Sequence, residues 1–227
     1  MPDALSDALR SLILKIDPAQ NLAWGIARWG EGSLIAPEAD AVARAVPQRV
    51  AEFTAGREAA RRAMTALGHA PTAVPAGPDR APVWPEGLIG SISHSNGLCL
   101  AVLGWAAAHH ALGVDLEGDQ PLDAELIAEI CHPEDVSDLL PEARGMQAKR
   151  VFSAKEAAYK AHYPKARRMF GFLGLSVDLT KGCARFSDHP EVATIPPESR
   201  GDLPVRQVVG GGLILSLCHV PGHEAVT

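Results

Sequence analysis

The sequence predicts an α+β protein made of two similar lobes, and three observations carry that reading. Helix-period apolar spacing alternates with strand-like apolar runs, and the sequence does this twice along its 227 residues. The strand-like runs are joined by short turn signals, which mark antiparallel hairpins. No long linker or low-complexity segment interrupts the chain. The lobes are taken as residues 1–110 and 111–227, with a boundary near residue 110.

Residues 1–20 read as a short helix and Asn21 to Arg28 as a strand holding Trp24 and Ile26. Pro37 to Pro47 is a connection with some helical character. From Gln48 to Leu67 the apolar residues Val50, Phe53, Ala60, Met64 and Leu67 recur at helical spacing, and Gly68 supplies the stop. Proline and glycine make Pro71–Gly87 an extended loop. Strands Leu88–Ser93 and Leu98–Gly104 follow, joined through Ser95-Asn96-Gly97, with a third strand over Ala111–Leu116. The second half repeats the theme: helical segments across 123–163, then strands near Leu175–Leu179, Ala184–Phe186, Gln207–Val209 and Leu213–Val220. Gly210-Gly211-Gly212 reads as a hairpin turn rather than a phosphate cradle.

Composition excludes several classes of function. With 47% hydrophobic residues the chain can bury a substantial core, and its net charge of -6 argues against a dedicated nucleic-acid binder. Cys99, Cys131, Cys183 and Cys218 are scattered and form no C-x-x-C pair, so neither a structural zinc site nor a disulfide framework is expected. The N-terminus lacks the pattern of a signal peptide. The most apolar stretch, Leu98 to Ala108, is too short to span a bilayer. A cytoplasmic protein, with no membrane or nucleic-acid partner, is expected.

Four segments hold residues suited to chemistry. In Phe152-Ser-Ala-Lys-Glu-Ala-Ala-Tyr-Lys-Ala161, helical geometry puts Ala154, Ala157, Ala158 and Ala161 on one side. Phe152, Glu156, Tyr159 and Tyr163 fall on the other, with Lys155 and Lys160 at its margins. A carboxylate bracketed by ammonium groups suits a metal with its anionic ligand; an exposed Glu156–Lys160 pair and a Ser153–Glu156 capping box are the structural alternatives. In Gly113-Val-Asp-Leu-Glu-Gly118, Asp115 and Glu117 point the same way from a strand, as the oxygen donors of a hard cation do, or as a solvated acidic turn does.

Gly90-Ser-Ile-Ser-His-Ser95 gathers hydroxyls and an imidazole at a strand tip, where they can donate to phosphate. A serine hydrolase using Ser93, His94 and Asp115 is disfavoured. There is no G-x-S-x-G elbow, and Ser93 and His94 point to opposite faces. Arg57 lies inside an apolar helical stripe, with Arg49 and Arg61 nearby. It must meet an anion, line a wet cleft, or pair with an internal carboxylate. Glu58 and Arg62 read as a surface pair, and His69, His109, His110, His132, His162 and His189 show no ligand spacing.

Taken in order, Arg49…Phe53-x-x-Gly56-Arg57, Arg80-x-Pro82-x-Trp84-Pro85, Gly90-Ser-Ile-Ser-His94, Gly113-Val-Asp-Leu-Glu117 and Phe152-Ser-Ala-Lys-Glu-Ala-Ala-Tyr-Lys160 resemble the two-lobed phosphopantetheinyl transferases of the enterobactin, surfactin and mycobacterial types. The motifs span positions 49 to 160. Serine at position 95 replaces a frequent cysteine, and alanine at 157 replaces a frequent serine; neither removes a ligand.

The resemblance implies a fold of two pseudo-two-fold-related lobes with the active site between them. It implies transfer of phosphopantetheine from coenzyme A to a serine of an apo acyl or peptidyl carrier protein. Asp115, Glu117 and Glu156 are implied to bind Mg²⁺, or Mn²⁺ in its place. Lys155, Lys160 and His94 are implied to meet phosphates, with Ser93 near the adenine end and Arg49, Arg57 and Arg80 around the 3′-phosphate. Glu156, Lys160 and His94 form the implied catalytic set, with Glu156 taking the attacking serine's proton. The 163–174 segment is expected to face the carrier, and two lobes in one chain favour a monomer. A non-catalytic coenzyme A or carrier-binding protein of the same fold is the alternative.

Overall fold

In a computed structural model, which describes residues 4–136 and 139–222, the chain forms two antiparallel sheets crossed by helices. The elements are α1 (Ala4–Ile16), β1 (Ala23–Arg28), α2 (Ala36–Ala39), α3 (Pro47–Ala66), β2 (Leu88–Ser95), β3 (Leu98–Trp105), β4 (His109–Gly118), α4 (Ala124–Ile130), α5 (Pro141–Ala166), β5 (Leu175–Asp178), β6 (Cys183–Phe186), β7 (Leu203–Gly210) and β8 (Leu213–Pro221). One sheet has the order β1-β3-β2 and the other β4-β8-β7-β6-β5. The α+β expectation holds.

Each lobe uses the same packing device. In β1, a Cβ on Gly25 would lie 2.0 Å from the Ala59 carbonyl oxygen and 2.6 Å from the Ala63 nitrogen of α3. In β4, a Cβ on Gly113 would lie 2.0 Å from the Ala157 oxygen and 2.5 Å from the Ala161 nitrogen of α5. A glycine facing an Ala-x-x-x-Ala ridge lets helix backbone sit directly on strand backbone, which no larger residue permits. Accordingly the buried face of α3 is mostly small: Ala55, Gly56, Ala59, Ala60 and Ala63 join Phe53 and Met64, while Val50 and Leu67 are only half-buried.

The lobes also share a core. Leu98, Leu100 and Val102 of β3, Leu112, Val114 and Leu116 of β4, and Leu213, Leu215 and Leu217 of β8 meet Leu9, Leu12 and Ile16 of α1 in one cluster. The first helix, early in the chain, thus covers strands of the second sheet, β7 and β8. Strand alternation sends the odd-numbered β4 residues Gly113, Asp115 and Glu117 to the opposite face, toward α5.

The joint between the sheets is made by serines. Ser91 Oγ accepts the Val114 N–H at 3.1 Å, and Ser93 Oγ accepts the Leu116 N–H at 3.1 Å. The hairpin at Asn96-Gly97 has φ of 51° and 77°, and that at Gly211-Gly212 has 60° and 78°, the left-handed values that tight β-turns demand. Both turns are where the sequence puts them. The capping-box alternative for Ser153 is overturned: α5 begins at Pro141, so Ser153 is mid-helix, and its hydroxyl meets Ser216 Oγ at 2.8 Å. Strand β4 starts at His109 and β7 at Leu203, both earlier than expected, because their pairing with β8 and β6 extends beyond the apolar runs. The four cysteines are free, and no helix among the described residues is long and apolar enough to cross a membrane.

Candidate active site

Because Gly113 lets α5 rest on β4, the next inward-facing residues of that strand meet the next turns of the helix. Asp115 is buried, and its Oδ1 accepts from Lys160 Nζ at 2.7 Å and from Ser93 Oγ at 2.9 Å. Lys160 Nζ also lies 3.8 Å from Glu156 Oε2, so the expected i,i+4 pair exists but takes second place to the pair with Asp115. Lys149 Nζ donates to Glu117 Oε2 at 2.5 Å. About three turns of α5 and the end of β4 therefore interleave two ammonium groups with three carboxylates.

Electrostatics follow from that crowding. Burial pushes the Glu156 carboxyl up, Lys160 pulls it down, and Asp115 and Glu117 push it up again; the net is upward. Glu117 is raised likewise, by burial foremost, against the pull of Lys149. Burial opposes the charge on Lys160, yet Asp115, Glu156 and Glu117 together raise its pKa.

His94 ends β2, with Nε2 2.9 Å from Glu52 Oε1; burial lowers its pKa although Glu52 acts against this. Glu52 pairs with Arg49 as well. A cleft of about 620 Å³ opens in front of these groups, lined by Arg49, Arg57, Arg80, His94, Lys160 and Tyr163 among others, from both lobes. A smaller cavity of about 200 Å³ adjoins it, bounded by Glu156, Tyr159, Met169, Phe170, Phe172 and Leu175.

The expected site residues divide into groups. Asp115, Glu117, Glu156 and Lys160 come together, and Arg49, Arg57, Arg80 and His94 line the cleft beside them. Ser93 is buried in the joint between the sheets, holding Asp115 rather than facing the cleft. Lys155 is almost fully buried: it donates to the Ile130 carbonyl at 2.7 Å, lies 3.5 Å from Asp135 and borders the smaller cavity beside Glu156. Arg57 donates Nε to the Val74 carbonyl at 2.6 Å and stacks on Phe53 at 3.9 Å.

Arg61 holds the fully buried Glu38 at 2.9 Å, and Arg62 pairs with Glu58 at 3.0 Å as expected. Sequence reasoning missed Glu52 and Lys149, and it read Ser91 only as one of the strand-tip hydroxyls. Lys149 had a signal, since it lies two helical turns before Glu156 on the same side.

The donor set fits a hard divalent cation by its chemistry. Asp115, Glu117 and Glu156 are linked through Lys149 and Lys160, and Asp115 Oδ2 is buried without a hydrogen-bond partner. Among the described residues no three donors are already gathered around one point. Lys149 and Lys160 stand between them, so the lysines must shift for all three to share an ion.

Residues 37–104 match the family described as the 4'-phosphopantetheinyl transferase N-terminal domain. Residues 111–203 match the 4'-phosphopantetheinyl transferase superfamily. The chain is 35% identical over 191 residues to 4'-phosphopantetheinyl transferase Svp of Streptomyces mobaraensis, covering 80% of this chain and 69% of that protein. It is 36% identical over 138 residues to 4'-phosphopantetheinyl transferase PptT of Mycobacterium tuberculosis, covering 60% of each. To enterobactin synthase component D of Salmonella typhimurium it is 36% identical over 131 residues, covering 55% of this chain and 53% of that protein.

Proposed function

The chain belongs to the 4'-phosphopantetheinyl transferase superfamily, and from that premise we propose that it transfers phosphopantetheine from coenzyme A to a serine of an apo carrier protein. The observation that carries the reading is Lys160, which lines a cleft with Arg49, Arg57 and Arg80 and joins it to Asp115 and to Glu156, the latter on the wall of the adjoining cavity. Anion-binding groups at one end and desolvated carboxylates at the other match a substrate with a 3′-phosphate and a pyrophosphate.

In the reaction the carrier serine oxygen bonds to the β-phosphorus, the bond to the bridging pyrophosphate oxygen breaks, and 3′,5′-adenosine bisphosphate departs. Asp115, Glu117 and Glu156 would hold Mg²⁺, which when bound supplies positive charge to the phosphate oxygens. Glu156 accepts the serine proton, directly or through water. Lys160 and His94 face the same cleft and supply charge and a donor to the phosphates. The arginines orient the nucleotide, and the adjoining mostly apolar cavity accommodates the uncharged pantetheine arm.

Incubation with coenzyme A, Mg²⁺ and a panel of apo carriers, read by intact mass, tests the proposal. One carrier should gain one phosphopantetheine. Excess EDTA, Asp115→Ala and Glu156→Ala should each remove most of that gain without unfolding the protein. Binding of coenzyme A with no mass gain on any carrier would favour the non-catalytic alternative.

A further inference from the structure

The long connection between α3 and β2 crosses the cleft mouth, and one side chain fixes its tip. Ala76 bridges to Pro82, Gly77 donates to the Ala81 carbonyl at 2.8 Å, and Arg80 donates to the Gly77 carbonyl at 2.9 Å, closing a tight turn. Asp79 Oδ1 accepts the Ala81 N–H at 3.1 Å inside that turn. Its Oδ2 reaches the other lobe, accepting from Tyr163 Oη at 3.0 Å and from Arg167 Nη1 at 2.5 Å at the end of α5. The neighbouring Arg80 has φ of 66°, a left-handed conformation that residues with a Cβ avoid unless their surroundings enforce it. Arg80 is exposed and lines the cleft with Arg49 and Arg57.

We propose that Asp79 is a positioning residue that ties the 77–81 turn across the lobes and so aims the Arg80 guanidinium at the 3′-phosphate of the nucleotide substrate. The inference rests on the reading of the cleft as a coenzyme A site. An arginine on a free loop tip contributes little, because a long side chain and its backbone must both be ordered when the ligand binds. A carboxylate anchored on α5 does that ordering beforehand. It also joins the lobes on the cleft side.

The test is a double-mutant cycle on direct ligand binding. Dissociation constants for coenzyme A and dephospho-coenzyme A are measured by titration for wild type, Asp79→Ala, Arg80→Ala and the double variant, with thermal midpoints recorded. Asp79→Ala should weaken coenzyme A about tenfold and dephospho-coenzyme A hardly at all. In the Arg80→Ala background the same change should have no further effect. Asp79→Asn, which keeps the acceptor for Ala81 but loses the charge toward Arg167, should fall between.

Equal weakening of both ligands, or effects of Asp79→Ala and Arg80→Ala that multiply, would overturn the proposal and leave the transferase reading intact. Failure of the wild type to bind coenzyme A would overturn both.

Discussion

Arg57 and Lys155 occupy the same station in the two lobes. Each lies two positions before the alanine whose carbonyl meets a strand glycine, Ala59 against Gly25 and Ala157 against Gly113. Each is buried, at 6% and 1% exposure, and each donates to a main-chain carbonyl, Val74 at 2.6 Å and Ile130 at 2.7 Å. A buried cation at this point pins a connecting segment to the long helix of its lobe.

Both residues should therefore stabilise the fold. Arg57→Ala and Lys155→Ala each leave a carbonyl unpaired at a cost of about 1–3 kcal/mol, readable as a lower urea midpoint. Burial lowers the Arg57 pKa to about 10, which leaves it charged at neutral pH. Since Arg57 also lines the cleft, its removal should weaken coenzyme A more than removal of Lys155 does. Wild-type midpoints in both variants would sink this account.

Ser91 supplies one of the hydrogen bonds between the sheets. Ser91→Ala strands a buried N–H on Val114 and should cost about 1–3 kcal/mol, with no change in the slope of unfolding against denaturant. A change under about 0.5 kcal/mol would mean that β4 finds another acceptor.

The segment expected to face the carrier divides in two. Phe170 stacks edge-on to Tyr159 at 5.2 Å and to Phe186 at 5.7 Å, and Phe172 lies 5.2 Å from Phe152, so these rings pack within the fold and border the smaller cavity. Arg168 is exposed and Met169 is 80% exposed. If an acidic carrier docks here, Arg168→Glu should raise the KM for carrier about tenfold, spare the KM for coenzyme A, and lose its effect as salt rises. A carrier KM that ignores the reversal would place docking elsewhere.

His109 and His219 share a hydrogen bond of 2.9 Å between Nδ1 and Nε2. Burial holds both below the ordinary 6.5; His109 and Arg206 depress His219 further, while Asp17 opposes the shift in each. The unfolded chain therefore binds protons more readily than the fold. The stabilising contribution is complete above the unfolded pKa and is lost as pH falls from about 6.5 through the lowered folded values. His94 and His162 shift the same way. The thermal midpoint should fall between about pH 7 and pH 5, and His219→Asn should flatten that fall. An identical slope in the variant would exclude the pair.

The sequence by itself determined the helices, both hairpin turns and the two-lobed α+β class, because each depends on local periodicity or turn chemistry; Glu156 was joined to Asp115 and Glu117 only by the family resemblance. Strand alternation alone places Asp115 and Glu117 on one face. Only the tertiary structure decided which cations meet those acids. Lys155 and Lys160 look alike as margin residues on a helical wheel, but the end of α4 and Asp135 cover Lys155 while Lys160 reaches Asp115. Glu52 and Asp79 were illegible for the same reason. Their partners lie tens of residues away or on another element, and a hydrogen bond between them leaves no period in the chain.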